Sequence, residues 1–448
     1  MREPTATSEF TGTVTHPHNL KSENSQRRFG WLYKSLVLRR HVDPPLLMIA
    51  MPAFAIKLPL DVVVFAYFLA TGAYFLAGRH PVSRRVDPHY LRWCLIYVLY
   101  AVAIGLLLHG NLPEEVRWIG YPVYLLSGVL LMVGFALIKD PLRQIVLGAR
   151  LAAIVALPLG IFELSTGDLR VGFGGNEANT AFVMIIIALL ARYRVQAPPR
   201  FLPNSRLWFY LGAIVVMMTG TRAVFVVLLL ALVMDAVELW QRRRKSGQLS
   251  ATDRKIGLLA GGLVIVFLGM VAATTLTSGL SERLAYTATE FSSVLSGEET
   301  REMPTGLGIR LTLWRNAIET IANHPLVGTG GVESMRQIKQ MIAPAWAETF
   351  ASFVHVHHFV LDELRQRGLI GLILLATFFF VVGRKIWQRG DKAEREMLAL
   401  FGIALLSYGS LHGLLLSDRN VLLISLVLTA LLLKVHQRQR HLGYPLKA

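Results

Sequence analysis

The chain is short of the features that mark an ordinary soluble enzyme. Only 17% of its 448 residues are charged, whereas a soluble domain has roughly 25%. It has a single cysteine, Cys94, which excludes a disulfide within the chain and any cysteine-based metal site. Its glycine clusters, at residues 172–175 and 328–331, lack the strand and the lysine of a nucleotide-binding loop. We therefore expect turns at these glycines and no nucleotide cofactor.

What the chain has in abundance is apolar residues, which make up 53% of it. They are gathered in runs whose length suits helices that cross a bilayer, about 17–25 residues each. The composition predicts an all-α integral membrane protein with about twelve transmembrane helices. Lys57 and Asp61 make the first two spans hard to separate. The predicted spans are residues 44–58, 60–77, 91–109, 119–138, 144–163, 178–194, 206–219, 223–240, 256–278, 368–384, 396–415 and 420–436.

The net charge of +17 is explained by membrane topology. Most of the 46 lysine and arginine residues fall in alternate loops, in clusters that flank spans, and by the positive-inside rule these loops are cytoplasmic. Basic clusters in this position interact with membrane lipids, so we expect no nucleic-acid partner. Both termini are then cytoplasmic. The predicted order is a disordered tail without a signal-peptide core at 1–43, helices 1–9 at 44–278, an external loop at 279–367, helices 10–12 at 368–436, and a tail at 437–448.

The external loop at 279–367 is the longest polar stretch, and it lacks the positive bias of the cytoplasmic segments. Its apolar residues recur at helical spacing on either side of Trp314. Arg310 on that helix would face a neighbouring cavity, or form a salt bridge with Glu319 or Glu363. Trp314 is expected in the core of this loop rather than against a substrate. The residues expected to pack down are Leu311, Trp314, Ile318 and Ile321.

Three histidines in four residues, His355, His357 and His358, precede the tenth span. We predict a helix from Ser352, its N-cap, to Gly368, with His357 in an early turn. A helix N-terminus keeps an imidazole neutral, which suits a general base. The alternatives are a structural role and a metal site, although a metal would lack clear third and fourth ligands nearby.

Arginines and asparagines near the external surface are further candidates. Arg222 joins two spans with almost no loop, so its charge is costly unless it binds an anionic headgroup or a pyrophosphate. The alternative is snorkelling to the interface. Arg315 is either a third anion ligand or a surface residue. Asn176 and Asn179 line the site or cap the sixth span. Asp418 and Arg419, in the last external turn, are most simply a local ion pair.

These residues resemble the motifs of the O-antigen ligase family, which lies within a superfamily that includes O-antigen polymerases. The likeness covers most of the chain: twelve spans, one long external loop and three motifs in order. The motifs are Thr-Gly-Thr-Arg222, then Arg310 to Gly330 with Trp314-Arg315 and His324-Pro325, then the histidines nine residues before Gly368-Leu-Ile-Gly371. The family usually has an amide or a serine after its catalytic histidine, where this chain has His358. The spacing to Gly368 favours His357 as the base. His358 would then supply the hydrogen bond that the amide side chain usually gives in the family.

The resemblance implies transfer of a finished glycan from undecaprenyl pyrophosphate to a sugar hydroxyl of lipid A–core, on the periplasmic face of the bacterial inner membrane. His357 would be the general base, and Arg222 and Arg310 would hold the pyrophosphate in an inverting displacement. No metal or other cofactor is implied, and the spans would offer the prenyl chain a lateral groove. The implied substrate-binding residues are Arg315, His358, His355, Asn176 and Asn179.

Three other functions remain open. An O-antigen or related polysaccharide polymerase would use the same lipid-linked donor with a different acceptor, and sequence separates it poorly from a ligase. A protein O-oligosaccharyltransferase would share the histidine-bearing loop. A transporter would show repeat symmetry and ionisable residues near the middle of the membrane, whereas this chain gathers its polar residues in one external loop.

Overall fold

A computed structural model of the chain describes residues 20–78, 85–108, 112–246, 257–258, 261–262 and 306–441. This part is helical and has no strand, which confirms the predicted all-α class for it. The helices are α1 (Leu20–Ala55), α2 (Leu60–Ala77), α3 (Pro88–Leu108), α4 (Leu112–Val123), α5 (Ser127–Gly134), α6 (Pro141–Ser165), α7 (Glu177–Arg192), α8 (Leu207–Met218), α9 (Phe225–Ser246), α10 (Gly306–Asn323), α11 (Gly331–Gln340), α12 (Ala347–Ala351), α13 (Phe359–Arg389), α14 (Lys392–Gly409) and α15 (Asp418–His441).

Seven segments of the described chain are long and apolar enough to cross a bilayer. They are Leu60–Ala77, Pro88–Leu107, Glu115–Gly134, Pro141–Ser165, Arg222–Gln241, Phe359–Arg389 and Asp418–Gln439. The chain is therefore a multi-pass membrane protein. The predicted spans 44–58, 178–194, 206–219 and 396–415 coincide with α1, α7, α8 and α14, which fall outside these seven. Almost all of span 256–278 and the loop residues 279–305 lie outside the described residues, so the count of twelve stays a prediction.

The start of the chain corrects one expectation. Helix α1 begins at Leu20 and runs to Ala55, so the second half of the predicted disordered tail is helical. Residues 20–40 contain four Leu, four Arg and two Lys, which lose little side-chain freedom in a helix. Lys57, at φ 60°, turns the chain into α2, and the first two predicted spans are two separate helices.

Helix α7 lies at the centre of the bundle. Every residue from Thr180 to Arg192 is buried, and such a helix must pack on all sides. Helices α6, α8 and α14 surround it. Helix α15 is the second buried helix and packs on α5, α6 and α13. Because α7 and α15 are enclosed, the polar residues at their N-terminal ends are held in fixed positions.

Helix α13 is broken by Gly368, and the break explains two of the sequence motifs together. Gly368 has φ 65° and ψ −169°, a conformation that is essentially confined to glycine. The break frees the carbonyls of Arg365 and Gln366, which accept hydrogen bonds from Thr329 N (2.9 Å) and Gly330 N (3.2 Å). Leu369 N in turn donates to Pro325 O at 2.8 Å. The segment 325–330 is thus paired with the kinked helix. This helix begins at Phe359, nine residues before the predicted span 368–384.

A small second core lies in the described part of the external loop. It is built by α10, α11 and α12, and its buried apolar residues are Leu313, Ala317, Met335, Ile338, Ile342, Phe350 and Val356. The expectation for α10 was partly wrong, because Ile318 is 58% exposed. Trp314 packs against this core as expected. The buried stripe is shifted by one position because α10 is covered from two sides, by α11 and by α13.

Candidate active site

The segment that carries the histidines is extended, not helical. Helix α12 ends at Ala351, and α13 begins at Phe359, so the predicted helix from Ser352 through His357 is wrong. The buried Val356 fixes the segment: its carbonyl accepts from Trp314 Nε1 at 2.8 Å, and its N–H donates to Asp362 Oδ1 at 3.2 Å. Phe353, Val354 and Val356 are aromatic or β-branched residues, which favour extended backbone over helix. We call residues 353–358 the histidine segment.

His357 has a strained backbone and an unsatisfied ring. Its φ is 57°, a value uncommon for a residue other than glycine. Its Nδ1 is buried and has no hydrogen-bond partner among the described residues. A buried polar atom in this state costs free energy. Strain and an unpaired ring nitrogen in one residue are typical of a functional position.

The rings around His357 hold it in place. The ring centroid of His355 lies 4.1 Å away, that of Phe353 5.4 Å away and that of His412 6.4 Å away. Burial lowers the pKa of His357 to about 3, with further lowering from His355, His412 and Arg310. Burial and the charges of Arg310 and His355 also lower the pKa of His412, to about 4. Both rings are therefore neutral near pH 7.

His355 and Asp362 support the position of His357 from behind. The backbone N–H of His357 donates to His355 Nδ1 at 3.1 Å, and the same nitrogen lies 3.6 Å from Asp362 Oδ2. Asp362 is buried on the first turn of α13 and also accepts from Arg365 Nε at 2.8 Å. His355 thus contacts the backbone of the histidine segment through Nδ1, and its role in binding substrate stays a prediction.

His358 begins helix α13. It is the N-cap residue, and its Nδ1 accepts from Leu361 N at 3.4 Å. Its ring meets the edge of Trp314, with centroids 5.3 Å apart. Burial lowers the pKa of His358, so this ring is also neutral near pH 7 and can accept a bond through the unprotonated Nδ1. One of its two ring nitrogens is thus used for capping.

His412 was missed by the sequence analysis. It lay inside the predicted span 396–415, but α14 ends at Gly409, and residues 410–417 form the turn before α15. The leucines of this turn extend the apolar run beyond the end of the helix. Gly413 stands close to His355 Nδ1, which would be 3.2 Å from an added Cβ. The signal that could have revealed the turn is Gly409-Ser410 followed by Gly413.

Asn179 is connected to His412 through Tyr408. Tyr408 OH donates to Asn179 Oδ1 at 2.7 Å, and Asn420 Nδ2 donates to the same oxygen at 3.2 Å. The ring of Tyr408 is stacked on His412, with centroids 4.7 Å apart. Asn176 is the N-cap of α7, where its Oδ1 accepts from Asn179 N at 3.1 Å. We call His355, His357 and His412 the histidine cluster. Of the two asparagines, Asn179 is thus connected to this cluster and Asn176 caps the helix.

The predicted arginines lie at the same end of the bundle. Arg310 is half-buried on α10, and its charge acts on both His357 and His412. Arg222 is exposed at the start of a 3-10 turn. The next residue, Ala223, accepts a hydrogen bond from Ser407, which precedes Tyr408. Neither Arg222 nor Arg310 has a hydrogen-bond or ion-pair partner among the described residues. Arg315 is exposed on α10.

Buried ion pairs on α13 correct one expectation. Glu363 pairs with Arg367 at 2.7 Å and accepts from Tyr97 OH at 3.0 Å, so the salt bridge suggested between Arg310 and Glu363 is not formed. Arg365 donates to Ser334 Oγ at 2.6 Å and to Gly331 O at 2.9 Å, and so ties α11 to α13.

In the last external turn, Asp418 and Arg419 do not form the expected ion pair. Asp418 accepts from the backbone N–H of Arg419 at 2.8 Å, as a residue in the first helical turn often does. The guanidinium of Arg419 lies over the ring of Phe54, 4.8 Å from its centroid. The two side chains are therefore not a local pair, and Arg419 packs between α15 and α1.

No group of three or more His, Cys, Asp or Glu residues in the described part of the chain could hold a metal ion. The histidine cluster has one carboxylate beside it, Asp362, and that group is already engaged by Arg365. The arrangement of neutral imidazoles beside open arginines suits acid–base chemistry on an anionic substrate.

Comparison with known proteins identifies the family of this region. The family model described as O-antigen ligase matches residues 207–376, a range that includes Arg222, Arg310, the histidine segment and the break at Gly368. An uncharacterized protein of Haemophilus influenzae (strain Rd) is 30% identical over 128 residues, which are 27% of this chain and 31% of that relative. The alignment thus spans about a third of the relative's length. Residues 207–376 thus carry the match that supports the O-antigen ligase family.

Proposed function

We propose that the protein is an O-antigen ligase. It transfers a glycan from undecaprenyl pyrophosphate to a sugar hydroxyl of lipid A–core at the periplasmic face of the bacterial inner membrane, with both termini in the cytoplasm. The family match supports the reaction class, and the multi-pass bundle supports substrates that are carried on lipids. The observation that carries the proposal is the buried, unpaired Nδ1 of His357 beside the open guanidinium of Arg310.

The reaction needs one bond made, one bond broken and one proton moved. The hydroxyl oxygen of the acceptor attacks the anomeric carbon of the glycan, and the bond from that carbon to the pyrophosphate oxygen breaks. His357 takes the hydroxyl proton as the new bond forms, and the electron pair of the broken bond leaves with the pyrophosphate. A single displacement inverts the anomeric configuration. This chemistry requires a neutral imidazole, which the low pKa of His357 provides.

A base with a pKa of about 3 is weak in the free enzyme, because an effective base has a pKa near the working pH. Binding of the donor brings the pKa of His357 closer to the working pH. Its pyrophosphate places negative charge beside the imidazole, and an opposite charge at short range raises the pKa of the ring. His357 thus becomes a stronger base when the donor is bound.

The arginines are assigned to the leaving group. The charge of Arg310 lowers the pKa of His357 and His412, so Arg310 lies close to the rings that would contact the substrate. Arg222 lies at the same end of the bundle, where Ala223 accepts a hydrogen bond from Ser407. Guanidinium groups match the oxygens of a pyrophosphate and stabilise the charge that develops on it. Arg315, Asn179 and the free edge of His358 remain candidates for contacts with the two sugars. His355 positions the histidine segment, and Asn176 caps α7.

A lipopolysaccharide gel tests the proposal. A strain that lacks the gene receives the wild-type gene, Arg310→Gln or Arg336→Gln. Arg336 is the matched control, because it is exposed on α11 and pairs only locally with Glu333 at 2.6 Å. We expect the core-linked glycan ladder to be present with the wild type and with Arg336→Gln, and to be lost with Arg310→Gln.

The bands that remain distinguish the functions. Loss of the whole ladder, with long glycan held on the lipid carrier, is the result expected for a ligase. Core that bears a single repeat would instead make the protein a polymerase. A complete ladder in the strain without the gene would contradict both functions. Immunoblots of the membrane fraction check that each variant is present in equal amount.

A further inference from the structure

A second polar site lies at the other end of the bundle. Helix α7 begins beside the histidine cluster and ends at Arg192, and its 16 residues span about 24 Å. Helix α14 runs the opposite way, from Lys392 to Tyr408 and Gly409. Between the far ends of α7, α8, α9 and α14 lies a cavity of about 190 Å³. It is on the opposite side of the membrane bundle from His357.

The cavity is lined by four cations: Arg192, Arg194, Arg206 and Lys392. Three carboxylates compensate part of this charge. Asp235 is buried and lies 2.8 Å from Arg192 and 3.2 Å from Arg206. Glu238 and Glu396 stand on the cavity wall. Among these described residues the cations outnumber the carboxylates, and Arg206 also pairs with Glu238.

The pairs nearer the mouth are longer. Arg194 lies 3.5 Å from Glu238, and Lys392 lies 3.6 Å from Glu396, beyond the usual length of an N–H···O hydrogen bond. Arg194 is 57% exposed and Lys392 is 87% exposed. Both side chains can therefore turn their donors to an incoming anion without breaking a buried contact.

The rest of the wall is apolar. Leu189, Met397 and Leu400 line the cavity beside the cations. Two exposed cations at the mouth and three apolar side chains on the wall, at the end of membrane helices, suit the phosphate and the first carbons of a phospholipid. Basic pockets between transmembrane helices bind anionic headgroups. A free anion would use the cations but would gain nothing from the three apolar side chains.

We propose that this cavity binds the headgroup phosphate of an anionic phospholipid, with Arg194 and Lys392 as its ligands and the first part of an acyl chain against Leu189, Met397 and Leu400. The bound lipid fastens α14 to α7 and α9, while Tyr408 at the opposite end of α14 contacts Asn179 and His412. This inference does not depend on glycan transfer.

Native mass spectrometry of the full-length protein in detergent tests it, with phosphatidylglycerol, phosphatidylcholine and inorganic phosphate as probes. The variant carries Arg194→Gln and Lys392→Gln. The matched control carries Arg384→Gln and Lys139→Gln, which remove one exposed Arg and one exposed Lys at the same end of the bundle. Because all four side chains are exposed, none of these changes should unfold the protein, and a thermal melt checks this.

We expect the wild type and the control to prefer phosphatidylglycerol, and the Arg194/Lys392 variant to bind it about tenfold more weakly. Equal binding of the two lipids by the wild type would overturn the proposal. An equal loss of phosphatidylglycerol binding in the control would also overturn the proposal, since the loss would then come from the lower surface charge and not from this cavity. If inorganic phosphate displaces phosphatidylglycerol at equal concentration, the cavity is a site for free anions and not for a lipid.

Discussion

His357→Gln is expected to lower the rate of glycan transfer by about 10²–10⁴-fold, the usual contribution of a general base. Glutamine keeps a polar side chain in the histidine segment but cannot take a proton from a sugar hydroxyl. The donor should still bind, because Arg310 and Arg222 are unchanged. The loss should therefore appear in kcat, with a smaller change in KM for the lipid-linked donor.

Two other histidines serve as controls. His324→Gln changes an exposed residue outside the cluster and should leave kcat unchanged. His358→Gln removes the N-cap of α13, which costs about 1 kcal/mol of stability, and it should lower kcat far less than His357→Gln does. Full activity of His357→Gln together with loss in His358→Gln would mean that the base is His358.

The pH dependence adds an independent check on the same residue. Since the pKa of His357 is lowered to about 3 in the free enzyme, the ring stays neutral as the pH falls through the usual histidine range. The profile of kcat/KM, which reports the free enzyme, should therefore show no acid limb near 6.5. The profile of kcat should show its limb at a higher pH, because the bound pyrophosphate raises the pKa. An ordinary histidine limb in kcat/KM would contradict the burial of this ring.

Gly368→Ala is expected to destabilise the protein by about 3 kcal/mol or more. Its backbone conformation is strained for any residue with a Cβ. The added Cβ would also lie 2.2 Å from the carbonyl of Leu326, which is backbone and cannot rotate away. The change would push apart Pro325–Gly330 and the kinked helix, and with them the histidine segment that is tied to α13 through Asp362.

Gly383→Ala, in the same helix, is the matched control. A Cβ at Gly383 meets no atom within 4 Å, and alanine is the better helix former by up to about 1 kcal/mol. Thermal unfolding in detergent should show a large fall in the melting temperature for Gly368→Ala and no fall for Gly383→Ala. Equal stability of the two variants would show that the break in α13 is not needed.

Sequence reasoning reached the fold class and the three motifs because each depends on local information. The apolar runs define helices, and Asn176 is a good N-cap by its side chain alone. The spacing between the histidines and Gly368 could be read from the sequence, but the structural reason for that spacing could not. That cause is the pairing of residues 325–330 with the broken helix, a contact between segments that are far apart in the chain.

The residues that sequence missed depend on tertiary contacts. His412 has apolar neighbours and no charge signal, and it reaches His357 only because α14 ends early, at Gly409. Glu363 looked available for Arg310, but Arg367 on α13 and Tyr97 on α3 engage it. The extended histidine segment was predicted as a helix because Ser352 is a plausible cap, whereas Val356 is held by Trp314 and Asp362.

Ligase activity that depends on His357 is tested by glycan transfer with the purified protein in vesicles, with a defined lipid-linked glycan as donor and lipid A–core as acceptor. We expect the wild-type protein to form core-linked glycan of inverted anomeric configuration. Without lipid A–core it should form no glycan longer than that of the donor. His357→Gln should form the core-linked product about 10²–10⁴-fold more slowly. Longer lipid-linked glycan in the absence of lipid A–core would contradict ligase activity, and retained configuration would contradict the single displacement assisted by His357.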